Sequence, residues 1–119
     1  NLALNHRLYR GLDARDGALG HLLALEHDFA AFEVFNISAG SPFQREDLAL
    51  LKQEPGAVIA RRLPNASAIY HRLGWRLPAS IDRVYSIAKA QRVLGYRPQY
   101  TAEFLLQRAL LGNPAQALD

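Results

Sequence analysis

Apolar residues recur along this chain at two spacings, one typical of helices and the other typical of buried strands. Leu19, Leu22 and Leu23 lie three and four residues apart, which predicts a helix with one buried stripe. Residues 32–37 read Phe-Glu-Val-Phe-Asn-Ile and residues 57–60 read Ala-Val-Ile-Ala, and both predict short buried strands. The predicted elements are a strand over residues 8–12, a helix over 16–26, a strand over 32–37, a helix that starts at Ser41 and ends before Pro55, a strand over 57–60, and helices that start at Asn65, Ser86 and Thr101.

Local signals for helix ends support this division. Asp16 is predicted to cap the first helix with its carboxylate. Ser41 and Gln44 have the spacing of a capping box, which predicts the start of the second helix. Gly74 and Gly95 are predicted to end two later helices in the left-handed conformation that glycine adopts without strain.

Strands that alternate with helices through short loops indicate an α/β fold. We predict a small lobe of about five helices with two or three short strands. No internal repeat and no long linker divides the chain, so residues 1–119 are predicted to form a single unit.

Composition narrows the classes of protein that the chain can belong to. It has 14 basic and 11 acidic residues, a net charge of +3, and no cysteine. The basic residues are spread out, which disfavours nucleic-acid binding, and no apolar run reaches the roughly 18 residues of a membrane span. Without cysteine there can be no disulfide or thiolate metal site, and we expect a cytoplasmic protein. The chain lacks methionine and starts at Asn1, and we therefore expect that its N-terminus was trimmed or is missing.

Three stretches of the sequence follow one another in an informative order. Residues 10–18 place an arginine before Gly-Leu-Asp, and residues 21–26 read His-Leu-Leu-Ala-Leu-Glu. Residues 32–40 end in Asn-Ile-Ser-Ala-Gly, and residues 83–98 carry Lys-Ala followed by Leu-Gly-Tyr-Arg-Pro. In this order they resemble the C-terminal lobe of the extended short-chain dehydrogenases, which include the NAD-dependent nucleotide-sugar epimerases and dehydratases. The resemblance runs from about residue 8 to residue 111.

The resemblance implies a partial domain, the substrate-binding lobe of an extended Rossmann-type enzyme, with the N-terminal dinucleotide-binding domain absent. It implies that Arg10 contacts the diphosphate of a nucleotide sugar or a similar anionic small molecule, and that Arg76 and Arg83 compete for a second such contact. Guanidinium groups suit this role because their planar donors match phosphate oxygens in pairs. The alternative for each arginine is a solvated surface charge.

The motifs that would carry the family's chemistry are not found in this sequence. It has no Gly-x-x-Gly-x-x-Gly; Gly17 and Gly20 have half of that spacing and are predicted to serve helix packing. Tyr85 and Lys89 have the spacing of a catalytic Tyr-x-x-x-Lys pair, but no dinucleotide-binding strands precede them, and we assign no catalytic residue. The four histidines are dispersed, and no metal site is predicted. No cofactor is therefore predicted for this chain, whereas NAD or NADP is implied for the complete enzyme.

Two functions remain open at this point. In the first, the chain is the substrate-binding part of an NAD(P)-dependent epimerase, dehydratase or reductase, and it is inactive alone because the hydride carrier is held elsewhere. In the second, it is a self-standing interaction module derived from that lobe, whose exposed apolar side serves a partner or a homodimer.

Overall fold

The computed structural model describes residues 1–112, and these residues form helices without a β-strand. The predicted α/β fold is therefore wrong for this part of the chain, which is all-helical. No helix in it is both long enough and apolar enough to cross a lipid bilayer. The α-helices are α1 (Leu2–Arg7), α2 (Ala14–Glu26), α3 (Leu48–Leu51), α4 (Pro55–Arg62), α5 (Ala66–Arg72), α6 (Ala88–Leu94) and α7 (Ala102–Leu111), and a 3-10 helix (Arg45–Asp47) leads directly into α3.

Side-chain caps set the starts of the two longest helices. The Asp13 carboxylate accepts the N–H of Arg15 at 3.0 Å, so α2 begins before Asp16, the residue predicted to cap it. The Thr101 hydroxyl accepts an N–H from the first turn of α7 at 3.3 Å, which confirms the predicted cap. The cap of α2 was misplaced because two aspartates lie three residues apart and either could serve.

The other predicted helix boundaries are met in part. Gly74 and Gly95 follow α5 and α6 with φ angles of 63° and 67°, as predicted. Ser86, the predicted cap of α6, lies one residue before the N-cap and accepts the N–H of Ala88. The helix predicted from Ser41 starts later and is short, because the observed capping box joins Gln44 to the 3-10 helix.

The predicted strand over residues 57–60 is wrong, because these residues lie inside α4. Pro55 occupies the first turn of that helix, where its fixed φ and missing N–H cost nothing. Val58 and Ile59 are both buried on its inner side. A run of four apolar residues is too short to distinguish the periodicity of a buried strand from that of a buried helix.

The predicted strand over residues 8–12 is also wrong. Residues 2–7 form α1, and Leu8 is its C-cap. The carbonyl of His6 accepts the N–H groups of Arg10 and Gly11, which closes the chain into a turn. The apolar side chain of Leu8 is buried as the end of a helix rather than as part of a sheet.

The predicted strand over residues 32–37 is wrong as well, because these residues have no regular secondary structure. Their side chains nevertheless alternate in exposure. Phe35 and Ile37 pack against a buried cluster, whereas Phe32 and Val34 are exposed. A strand requires a hydrogen-bonded neighbour, and residues 1–112 supply none for this segment.

Buried apolar side chains form two clusters. The larger one joins α1, α3, α4, α5 and α7 and contains Leu8, Ile59 and Tyr70. The smaller one, the second core, is centred on Ala90 and Tyr96 and joins α6 to α2 and to residues 29–37. Each cluster thus has its own set of helices.

Polar contacts connect the segments that carry these clusters. The buried Asp16 carboxylate on α2 accepts the N–H groups of Gln99 and Tyr100 at 2.9 and 3.0 Å. The Arg7 guanidinium on α1 donates to the Tyr100 carbonyl at 2.8 Å. The Asp16 carboxylate therefore fixes the loop that leads into α7.

Removal of the Asp16 carboxylate is expected to destabilise the chain. In Asp16→Ala the two N–H groups lose their acceptor, and the free energy of unfolding should fall by at least about 2 kcal/mol. Asp28→Ala is the matched control, because Asp28 is exposed. Urea unfolding followed by circular dichroism would measure both variants, and equal stabilities would contradict the assigned role of Asp16.

Candidate functional site

The structure brings two of the candidate arginines, Arg10 and Arg83, into the same neighbourhood. The N–H of Tyr85 donates to the carbonyl of Tyr9 at 3.0 Å. This hydrogen bond holds the turn after α1 against the segment that precedes α6. Arg10 lies one residue after Tyr9, and Arg83 lies two residues before Tyr85, so both arginines flank a single point of contact between distant parts of the chain.

Arg83 forms an exposed ion pair with its neighbour Asp82. Its Nε and Nη2 atoms donate to Oδ2 of Asp82 at 3.1 and 2.9 Å. These hydrogen bonds hold the pKa of Asp82 below its usual value, and the charge of Arg10 lowers it further. Asp82 in turn raises the pKa of Arg83, with a smaller effect from Tyr85. The Asp82 carboxylate therefore interacts with the positive charges of both arginines. An external anion that binds these arginines would compete with Asp82 for them.

The Arg10 side chain is exposed and contacts only neighbouring residues of its own turn among the described residues. Its Nη2 atom lies 3.2 Å from Nε2 of His6, and its guanidinium lies 5.2 Å from the centre of the Tyr9 ring. No carboxylate within residues 1–112 forms a direct ion pair with it. Its donors can therefore reach an external anion without breaking an existing salt bridge.

Arg76, the third candidate, belongs to a different contact. Its backbone carbonyl accepts a hydrogen bond from the Asn5 side chain on α1 at 3.0 Å. Its own side chain is exposed, and within residues 1–112 it forms no ion pair with a carboxylate. Of the two arginines that were predicted to compete for a second phosphate contact, Arg83 is the one whose chain segment contacts the turn that carries Arg10.

A groove lies next to the contact between Tyr9 and Tyr85, and Tyr85 is part of its lining. It has a volume of about 580 Å³ and lies between the segment that leads into α3 and the segment that leads into α6. The Ser41 hydroxyl donates to the carbonyl of Leu8 at 2.8 Å, which attaches this side of the groove to the turn that carries Arg10. Its polar lining includes Ser41, Gln44, Arg45, Tyr85, Ser86 and Gln91.

Gln44, Arg45 and Gln91 are groove residues that sequence reasoning missed. Gln44 was interpreted only as part of a capping box, and Arg45 and Gln91 had no assigned role. No local pattern could reveal them, because the groove arises where two segments about forty residues apart meet. The Ser-Pro start before Gln44 was the sole signal, and it indicates a helix end rather than a site.

Asp47 holds this wall of the groove in place. Its carboxylate is fully buried and accepts hydrogen bonds from Arg61 and Arg62 on α4, the latter at 2.7 Å from Nε. It also accepts the N–H of Gln44 at 2.8 Å. The pKa of Asp47 is lowered to about 2, chiefly by the hydrogen bonds from Arg62. The position of Gln44 and Arg45 thus depends on an ion-pair network outside the groove.

The α2 glycines do not fit a dinucleotide-binding loop. Both lie inside the helix, and both are buried. A Cβ atom at Gly20 would lie 3.0 Å from the Ile37 side chain, and one at Gly17 would lie 3.3 Å from Leu12. Since neighbouring side chains already occupy this space, the predicted role of Gly17 and Gly20 in helix packing is confirmed, and no step of dinucleotide chemistry is assigned to them.

Tyr85 and Lys89 do not share a helical face. Tyr85 precedes α6, which begins at Ala88, and it is one of the residues that line the groove. The Lys89 ammonium instead contacts the Glu33 carboxylate and the Val34 carbonyl. A metal site is equally unsupported within residues 1–112, where no cluster of three or more His, Cys, Asp or Glu is suitably arranged. Chemically, the described arrangement presents exposed guanidinium groups, whose hydrogen-bond donors match the acceptor oxygens of anions.

Comparison with protein-family models, with curated proteins and with solved structures finds no match to this chain.

Proposed function

We propose that the chain is the substrate-binding part of an NAD(P)-dependent nucleotide-sugar epimerase, dehydratase or related reductase. The observation that carries this proposal is the contact between Tyr9 and Tyr85, which brings the chain segments of Arg10 and Arg83 together beside a polar groove that Tyr85 lines. Both arginines had been identified from the resemblance as candidate diphosphate contacts. Two guanidinium groups so placed can bind the two phosphates of a diphosphate through paired hydrogen bonds.

In this proposal the chain binds and orients its substrate and performs no bond-making step. Arg10 and Arg83 would hold the diphosphate, while Gln44 and Gln91 offer amide groups for hydrogen bonds along the groove. In the complete enzyme NAD or NADP would carry the hydride, and a separate dinucleotide-binding domain would hold this cofactor. A cytoplasmic location, compatible with the lack of cysteine, is part of the same proposal.

A titration with UDP-glucose, followed residue by residue by nuclear magnetic resonance, would test this function. Two charge-assisted hydrogen-bonded contacts give an affinity on the order of 1 mM. We expect shifts confined to Arg10, Arg83 and the groove, and weaker binding as salt is added. Uridine and glucose serve as controls, because they lack the diphosphate. Binding of uridine as tight as that of UDP-glucose, or shifts on another surface, would contradict the proposal.

The second candidate function is an interaction module. It is favoured by the exposure of large apolar side chains on α2 and on the segment that follows, among them Leu25 and Phe32. A folded chain that shows no diphosphate-dependent shift at Arg10 or Arg83 would favour this function over substrate binding.

A further inference from the structure

Arg45 is the one charged residue that lines the groove within the described chain. Its side chain is exposed and forms no ion pair with a carboxylate of residues 1–112. Glu46, its neighbour in the sequence, instead pairs with Arg62 on α4 at 2.8 Å. No Asp or Glu of the described residues lines the groove. The groove therefore carries a positive charge that no carboxylate in its lining compensates.

The polar side chains beside Arg45 offer hydrogen-bond donors to a ligand. The Gln44 side chain accepts a backbone N–H of the 3-10 helix in the capping box, so its carbonyl oxygen is engaged and its NH2 group remains for an external acceptor. The Ser86 hydroxyl accepts a backbone N–H at the start of α6 and keeps its own proton for donation. A ligand group that only accepts hydrogen bonds therefore fits this lining.

A carboxylate is the ligand group that matches a single guanidinium. The planar fork of Arg45 can donate in parallel to both oxygens of a carboxylate, and one positive charge balances one negative charge. The phosphates of a nucleotide sugar are already assigned to Arg10 and Arg83 in the proposed function. The groove needs an anion of its own, and a carboxylate on the sugar supplies it.

Tyr85 connects the groove to the arginine that would hold the diphosphate. It is part of the lining, and its side chain contributes to raising the pKa of Arg83, so the two side chains lie within interaction distance. The volume of about 580 Å³ is within the range of sites that hold small molecules. A sugar attached to a diphosphate at Arg83 can therefore enter the groove and approach Arg45.

We infer that the groove takes a nucleotide sugar whose sugar carries a carboxylate, a uronate, and that Arg45 binds this carboxylate. The inference rests on the proposed function, because the diphosphate is held by Arg10 and Arg83 in both. It goes further in naming the chemical class of the sugar and in giving Arg45 a role. A neutral hexose would leave Arg45 without a counter-charge, and an amino sugar would be repelled by it.

Comparison of UDP-glucuronate with UDP-glucose isolates the carboxylate, because the two molecules differ only at C6 of the sugar. In titrations followed by nuclear magnetic resonance at constant ionic strength, the parent chain should bind UDP-glucuronate about tenfold more tightly, the size of one charge-assisted contact. In Arg45→Ala the ratio of the two dissociation constants should fall close to one. Arg97→Ala is the control, since it removes the same charge outside the groove lining, and its ratio should stay near that of the parent.

The outcomes distinguish this inference from the function on which it rests. If UDP-glucose shifts the resonances of Arg10 and Arg83 but UDP-glucuronate binds no more tightly, the uronate assignment is wrong and the proposed function stands. The assignment is equally wrong if Arg45→Ala keeps the preference, or if Arg97→Ala loses it to the same extent. If neither nucleotide sugar binds, both the function and the assignment are wrong. Circular dichroism would verify that the variants keep their helices.

Discussion

Replacement of Asp47 by alanine is expected to lower the melting temperature of the chain by about 10 °C or more. Asp47 is fully buried, and its carboxylate is the common acceptor for Arg61, Arg62 and the N–H of Gln44. Loss of the carboxylate leaves two guanidinium groups without their shared counter-ion and Gln44 without its acceptor. The 3-10 helix would then lose its buried ion-pair contact with α4 and keep the exposed one between Glu46 and Arg62.

A second variant at this position shows whether the charge of Asp47 or merely its shape matters. Asp47→Asn keeps the size of the side chain but loses its charge, and we expect it to be destabilised by an intermediate amount. Glu46→Ala is the control, because the Glu46 side chain is 71% exposed and shares Arg62 with Asp47. Its melting temperature should change by no more than about 2 °C. Differential scanning calorimetry would measure all three, and a drop for Glu46→Ala as large as that for Asp47→Ala would contradict the argument.

The Asp47 carboxylate also makes the stability of the folded chain depend on pH. Its pKa is about 2 in the folded chain and 3.8 ordinarily, so folding favours the ionised form. Its contribution to the free energy of unfolding is therefore complete above about pH 4 and is lost as the pH falls toward 2. Asp47→Asn should show a smaller loss of stability over this range than the parent chain, and parallel curves would refute the assignment.

Replacement of Arg83 by alanine is expected to weaken UDP-glucose binding by about tenfold or more, the size of one charge-assisted contact. Arg10→Ala should have a similar effect, because the two arginines flank the same contact between Tyr9 and Tyr85. Asp82→Asn should act in the opposite direction. It removes the negative charge that now holds Arg83 and lies in the field of Arg10, so an external anion would meet less competition.

Arg97→Ala is the matched control for these variants, since Arg97 is exposed and does not line the groove. It removes the same charge from the whole molecule, so it separates a local contact from a general effect of net charge. Affinity should be measured at constant ionic strength by calorimetry or magnetic resonance. If Arg97→Ala weakens binding as much as Arg83→Ala does, or if Asp82→Asn leaves binding unchanged, the proposed arrangement of charges is wrong.

Signals confined to a few neighbouring residues were the ones that sequence reasoning interpreted correctly. The Thr101 cap and the left-handed Gly74 and Gly95 each depend on a side chain or a φ angle at one position. The predicted strands failed for different reasons. Residues 57–60 were too short to show a period, whereas residues 32–37 do alternate, but the described chain provides no neighbouring strand. Strand formation requires a distant partner that no local pattern can reveal.

The candidate site also combines residues that the sequence could identify with a proximity that it could not predict. Arg10 and Arg83 were identified one at a time from the resemblance, and their roles stay predictions. Their proximity depends on the hydrogen bond between Tyr85 and Tyr9, which joins residues far apart in the sequence. Arg45 had no distinguishing neighbour in the sequence, and it became part of the site only through the folding of α3 against the segment before α6.

Two apolar clusters with polar connections between their segments have a consequence for how the molecule opens. Asp16 and Arg7 hold the loop before α7 through hydrogen bonds, and Tyr96 of the second core donates to the Ser38 carbonyl. Polar connections of this kind couple the unfolding of the two clusters less strongly than a continuous apolar core would. The unit formed by α2 and α6 would therefore open as a separate foldon, with faster amide hydrogen exchange than the five-helix unit around Ile59.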